Sequence, residues 1–148
     1  MSYLIDTNIL LRSIDLEHSM NGITVSATRK LMARNEELIV APQNLIELWN
    51  VMTRPLAKNG LGRTPAQVLV ELQELRTNFT LLPDLPDIFP IWKQLATDYQ
   101  VKGVNVHDTR LVAFMLVHNI SHILTFNTKD FRRFKQEITS VHPDKVDV

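Results

Sequence analysis

Met1-Ser2-Tyr3-Leu4-Ile5-Asp6-Thr7-Asn8-Ile9-Leu10-Leu11-Arg12 opens the chain, and the reading of this stretch decides the fold. Tyr3-Leu4-Ile5 is an apolar run without alternation, the pattern of a strand covered on both faces. It stops at Asp6, and Thr7-Asn8 lead into a second apolar run that reads as one or two helical turns. An acid at the carboxyl end of a buried strand stands where open α/β sheets bind ligands. Asp6 and Thr7 are also good helix caps, so the junction alone does not separate capping from chemistry.

The same alternation of short apolar runs and helical periods continues outward. Ile23, Ala27, Leu31 and Met32 recur at helical spacing between about Met20 and Asn35, and Leu38-Ile39-Val40 reads as a second strand. A helix from Gln43 to about Thr53 carries Leu45, Ile46, Trp49 and Met52 on its packing side, with Glu47 at the edge of that stripe. Arg54-Pro55 ends it, and a loop holding two of the chain's four glycines follows. Thr64-Pro65 caps the next helix. Phe79 to Leu82 is a third strand, Asp87 opens a helix through Tyr99, and Val101 to Val106 is a loop. Leu111 to Val117 is apolar all round, which marks a central buried helix with Asp108 in its first turn. His122 to Thr125 is a fourth strand, and Glu137 to Ser140 a candidate fifth. Strands alternating with helices predict an α/β three-layer sandwich with a mainly parallel central sheet of four to five strands, in one domain over residues 1–148.

Bulk composition narrows the function classes. The 148 residues are 45% hydrophobic and carry no formal net charge, so any affinity for nucleic acid must come from local patches. There is no cysteine, which removes disulfides, thiolate metal sites and cysteine nucleophiles together. No apolar stretch approaches a membrane span, and the start shows no secretion signal. A cytoplasmic protein without membrane contact is expected.

Polar residues stand out by position: Asp6 after strand one, Glu47 in a mostly apolar helix, Asp108 opening a buried helix, and Asn127 with Asp130 after strand four. If the strands that lead to Asp6 and Asn127 are neighbours, these groups converge on one pocket. Clustered carboxylates repel and raise each other's pKa, and a divalent cation resolves the conflict. Oxygen donors without thiolates or paired histidines select hard ions, Mg²⁺ or Mn²⁺ rather than zinc. Such a site suits metal-assisted attack of water on a phosphodiester.

Leu4-Ile5-Asp6-Thr7-Asn8, Asn44-Leu45-Ile46-Glu47-Leu48, Val106-His107-Asp108-Thr109-Arg110 and Leu124-Thr125-Phe126-Asn127-Thr128-Lys129-Asp130-Phe131 together resemble the PIN domain, in the right order and over essentially the whole chain. The resemblance implies a metal-dependent ribonuclease using Mg²⁺ or Mn²⁺, of the kind found in VapC-like toxins held inactive by a cognate antitoxin. It implies that Asp6, Glu47 and Asp108 are metal ligands or water-activating groups, and that either Asn127 or Asp130 is the fourth site residue. Asn8 and Thr125 would orient those ligands by hydrogen bonds. Lys129, Arg132 and Arg133 are candidates for RNA phosphates, as are Arg54, Lys58 and Arg63 in the glycine-containing loop. RNA, an antitoxin protein and a homodimer or higher assembly are the expected partners.

Other readings account for part of this pattern. A haloacid-dehalogenase-type phosphatase also places its nucleophilic acid after strand one, but it needs a second acid where Asn8 stands. A receiver domain wants an adjacent acidic pair there, also absent. A catalytically weak PIN-fold module binding RNA or protein would keep the fold alone. No glycine-rich loop follows strand one, which removes a dinucleotide-binding fold. Replacing Asp6 or Asp108 by Asn is expected to abolish cleavage while leaving the metal-free fold intact or slightly firmer.

Overall fold

In the computed structural model, which describes residues 1–147, Ser2–Ile5 form β1, buried over its last three residues. Its side chains alternate between two cores. Tyr3 and Ile5 enter one with Leu38, Val40 and Leu124, while Leu4 enters the other with Ile39 and Ile123. Both faces are therefore covered, which is why the run lacks polar alternation.

Helix α1 (Thr7–Ile14) and helix α2 (Asn21–Ala33) lead to β2 (Glu37–Val40). Helix α3 (Pro42–Thr53) and helix α4 (Pro65–Leu75) lead to β3 (Thr80–Leu81). Helix α5 (Ile88–Asp98) and helix α6 (Asn105–Val117) lead to β4 (His122–Leu124). A 3₁₀ segment, Thr128–Phe134, precedes β5 (Thr139–Val141). The sheet is parallel throughout in the order β3-β2-β1-β4-β5.

Chain order thus runs outward from β1 to β2 and β3, then returns to the other side of β1 for β4 and β5. The carboxyl ends of β1 and β4 flank the point where the winding reverses, the place where such sheets open a crevice. Packing separates the helices into two layers. Helices α1 to α4 supply Ile9, Leu10, Leu31, Leu48, Met52 and Val68 to one core. Helices α5 and α6, with the 3₁₀ segment, supply Leu95, Leu111 to Met115, Phe131 and Phe134 to the other. The expected three-layer sandwich is observed.

Local departures have local causes. The α3 face against the core is Asn44, Leu48 and Met52, spaced one turn apart, so Ile46 lies on the opposite side and is 69% exposed. Glu47 sits at the flank of that face. Helix α6 begins at Asn105, inside the segment expected as loop. The fifth strand starts at Thr139 rather than Glu137, because the Glu137 and Ile138 amides still bond the Phe134 carbonyl and close the 3₁₀ segment. Thr64 caps α4 as expected, its hydroxyl accepting from the Gln67 amide at 3.2 Å while Gln67 Oε1 accepts from the Thr64 amide at 2.9 Å.

Candidate active site

Asp6 follows β1 directly, and its amide donates to the Leu124 carbonyl, continuing the β1–β4 ladder by one rung. Its carbonyl accepts the Ile9 and Leu10 amides and so starts α1. The residue is only 8% exposed. Oδ1 accepts from the Thr7 amide at 2.8 Å, and Oδ2 accepts from the Thr125 hydroxyl at 2.7 Å and from Asn8 Nδ2 at 3.5 Å. Burial raises the Asp6 pKa, the bonds from Thr125 and Thr7 oppose this, and the charge of Asp130 adds to the rise.

Asn8 and Thr125 both bridge the two strand ends. Asn8 Nδ2 donates to Thr125 Oγ1 at 3.4 Å, and Asn8 Oδ1 accepts from the Phe126 amide at 3.3 Å. Thr125 Oγ1 also accepts from the Asn127 amide at 3.0 Å, so a buried hydroxyl uses one donor and two acceptor positions in a single network. Asn8, where a phosphatase would need its second acid, is committed to this bracing.

Glu47 arrives from α3. The start of that helix is tied to the Asp6–Thr7 turn by Asn44, a fully buried amide absent from the sequence-derived site. Its Oδ1 accepts from the Ala41 amide at 2.9 Å, and its Nδ2 donates to Thr7 Oγ1 at 3.3 Å. Glu47 lies one turn further, and its Oε1 is buried without a hydrogen-bond partner. Burial raises the Glu47 pKa, Asp6 adds to the rise, and Gln43, His107 and Thr7 act in the opposite direction.

Asp108 enters from the other layer, in the first turn of α6. Its pKa is pushed up to about 7, first by burial and then by the charges of Asp6, Asp130 and Glu47, with Arg133 opposing. Acids from four chain segments therefore lie within reach of one another's charge: Asp6 after β1, Glu47 on α3 and Asp108 on α6 each feel another acid, and Asp130 in the 3₁₀ segment adds to the rise of Asp6 and Asp108. Asn127 is exposed beside them, and its amide is held by Thr125. His107 lies at the rim with Glu47, lining a cavity of about 470 Å³ that also includes Gln43, Asn50 and Arg110.

The donor set suits a hard divalent cation. It is all oxygen, it holds an unpartnered buried carboxylate oxygen, and one of its carboxyls is ionised with difficulty at neutral pH. Among the described residues no group of three or more Asp, Glu, His or Cys side chains stands in an arrangement that could by itself hold a metal ion. Mg²⁺ keeps several of its own waters and does not require a closed protein cage.

Of the basic residues, Lys129, Arg132 and Arg133 are exposed on the 3₁₀ segment beside this crevice. The second group is placed otherwise. Arg63 pairs with Glu71 at 3.1 Å. Arg54 folds against its own loop, with its carbonyl accepting the Gly62 amide and its Nε buried. Trp92 is partly buried and donates its indole N–H to the Val106 carbonyl at 2.9 Å.

A parallel α/β sandwich with acids gathered at its winding reversal defines a class of α/β domains. Within that class, the PIN domain family model matches residues 3–137, and this chain belongs to the PIN domain family. Solved structures agree on the fold. VapBC-1 from nontypeable Haemophilus influenzae superposes with a TM-score of 0.72 at 17% identity, covering 98% of this chain and 100% of that one. VapBC2 from Rickettsia felis, bound to a DNA fragment from its promoter, gives 0.71 at 16% identity, covering 96% and 98%. The Mycobacterium tuberculosis toxin VapC20, which cleaves the sarcin-ricin loop, gives 0.62 at 15% identity, covering 88% and 94%. Comparison with curated protein sequences gives no significant match. Among the described residues no helix is long and apolar enough to cross a membrane.

Proposed function

We propose that this chain is a divalent-cation-dependent ribonuclease and the toxin half of a toxin–antitoxin pair. The observation that carries the reading is the convergence of acids from four chain segments on Asp108, whose pKa is pushed up to about 7, first by burial and then by the charges of Asp6, Asp130 and Glu47. Structure alone gains nothing from such an arrangement, because each buried like charge costs stability. A cation turns the same repulsion into binding energy.

Asp6, Glu47 and Asp108 would hold Mg²⁺ or Mn²⁺, with Asp130 as the fourth acid and Asn127 at the rim. When bound, the ion lowers the pKa of water and neutralises charge building on the phosphoryl oxygens. Thr125 and Asn8 fix the direction of the Asp6 carboxylate through its Oδ2. Glu47 would accept a proton from the attacking water. Lys129, Arg132 and Arg133 would bind RNA phosphates on either side of the cut.

The partner reading rests on the resemblance to chains solved as VapBC complexes. An antitoxin that masks the crevice would hold the enzyme inactive in the cytoplasm until released.

Incubation of the purified chain with RNA, with Mg²⁺ or Mn²⁺ and then with chelator, tests the activity. Cleavage that requires the ion and disappears in Asp108→Asn supports the reading. Cleavage insensitive to chelator, or undiminished in that variant, removes it.

A further inference from the structure

Glu47 and Asp108 stand on helices of opposite layers. Helix α3 packs on α1 and α4, whereas α6 packs on α5 and the 3₁₀ segment. The two helices meet through the core around Ala41, at the start of α3, rather than along a shared helix face. Among the described residues, the side-chain hydrogen bonds that join α3 to α6 all involve Gln43. Its Nε2 donates to the His107 carbonyl at 2.9 Å, and its Oε1 accepts from Arg110 Nη1 at 3.2 Å. Arg110 is anchored in turn by an ion pair with Asp84 at 3.2 Å.

The sequence positions give this contact its meaning. Gln43 lies one turn before Glu47 on α3, and the carbonyl it grips belongs to the residue immediately before Asp108. We propose that Gln43 is a positioning residue: a strut that sets the separation of Glu47 and Asp108, and so prepares the acid cluster for a divalent ion. The adjacent Asn44 does the same toward the Asp6 turn through Thr7 Oγ1. Two neighbouring amides at the start of one helix thus reach two of the other three acid-bearing elements, α6 and the Asp6 turn. In this role Gln43 acts through Glu47, whose pKa it lowers, and through the His107 carbonyl, rather than on the substrate. It opposes the drift apart that like charges would otherwise favour when no ion is present.

This inference rests on the metallonuclease reading, and its test separates the two. Mn²⁺ is titrated into the full chain at neutral pH, binding is read by the loss of the free-ion electron paramagnetic resonance signal, and melting temperature is recorded alongside. Gln43→Met keeps the length and loses both bonds. It is expected to weaken Mn²⁺ binding about tenfold or more, the usual effect of losing a residue that orients ligands, with little change in melting. Gln67→Met, which breaks the α4 cap away from the site, is expected to lower the melting temperature and leave Mn²⁺ binding unchanged. Equal Mn²⁺ affinity in wild type and Gln43→Met overturns the strut, as does equal weakening by Gln67→Met. If Gln43→Met melts early, Arg110→Met is read instead: it frees one end of the strut and should also weaken binding, and wild-type affinity there overturns the proposal. Failure of the wild type itself to bind Mn²⁺ removes the metallonuclease reading, and the strut with it.

Discussion

The Thr125 hydroxyl donates to Asp6 Oδ2 at 2.7 Å, tying the carboxyl ends of β1 and β4 across a sequence separation of 119 residues. The bond is buried, and it is one of the two that hold the Asp6 pKa down against desolvation. Thr125→Val keeps the shape and removes the donor, leaving a buried carboxylate oxygen short of a partner. Stability should fall by about 1–3 kcal/mol, and the Asp6 pKa should rise further. Urea unfolding of the two proteins measures the first; an unchanged midpoint would show that the bond contributes nothing.

Asp108 makes stability depend on pH with a defined sign. Its folded pKa is about 7, whereas an unfolded aspartate titrates near 4. Between those values the folded chain binds the extra proton, so metal-free stability should fall as pH rises from about 4 to 7 and then level off. The raised pKa values of Asp6 and Glu47 act in the same direction. Asp108→Asn should flatten this slope and raise the metal-free melting temperature at pH 8. Melting curves across the pH range, with and without Mn²⁺, check both; a steeper slope in the variant would contradict the charge cluster.

Asp6→Asn should behave differently, although both variants are expected to abolish cleavage. Asp6 accepts bonds at both oxygens, and Thr125 Oγ1 already accepts from Asn8 and from the Asn127 amide. An amide placed there loses an acceptor and meets a crowded hydroxyl. Relief of repulsion is offset, and Asp6→Asn should be about 1–2 kcal/mol less stable than Asp108→Asn in the metal-free state. Equal unfolding midpoints for the two variants would contradict that difference.

The exposed cations of the 3₁₀ segment should show in the salt dependence of RNA binding. Removing Lys129 or Arg132 should reduce the slope of log affinity against log salt by about 0.7 for each phosphate no longer neutralised. Arg133→Ala should do the same and also raise the Asp108 pKa, because the Arg133 charge lowers it. Slopes identical to wild type would mean that RNA follows another path.

Much of this was legible from residue order. The burial of β1, β2 and β4 follows from apolar runs too short for helices, whereas the placing of Asp6 beside the residues after β4 was a condition in the sequence, met by the β1–β4 pairing. Asp108 could be found because an acid opening an otherwise apolar helix is conspicuous. Gln43 and Asn44 could not. Their roles depend on which elements meet in space, and an amide next to Pro42 reads as an ordinary helix start. The exposure of Ile46 was hidden for a related reason: a stripe drawn through apolar residues missed that the buried line of α3 runs through Asn44. Arg63 looked available to RNA until Glu71 appeared beside it.

Anomalous diffraction from a crystal of this chain soaked in Mn²⁺ would locate the ion itself. If the acids form a metal centre, a manganese peak stands in the crevice, approached by Asp6, Glu47 and Asp108 either directly or through bound water. A peak elsewhere on the surface, or none in the crevice at an ion concentration that supports RNA cleavage, would refute that centre.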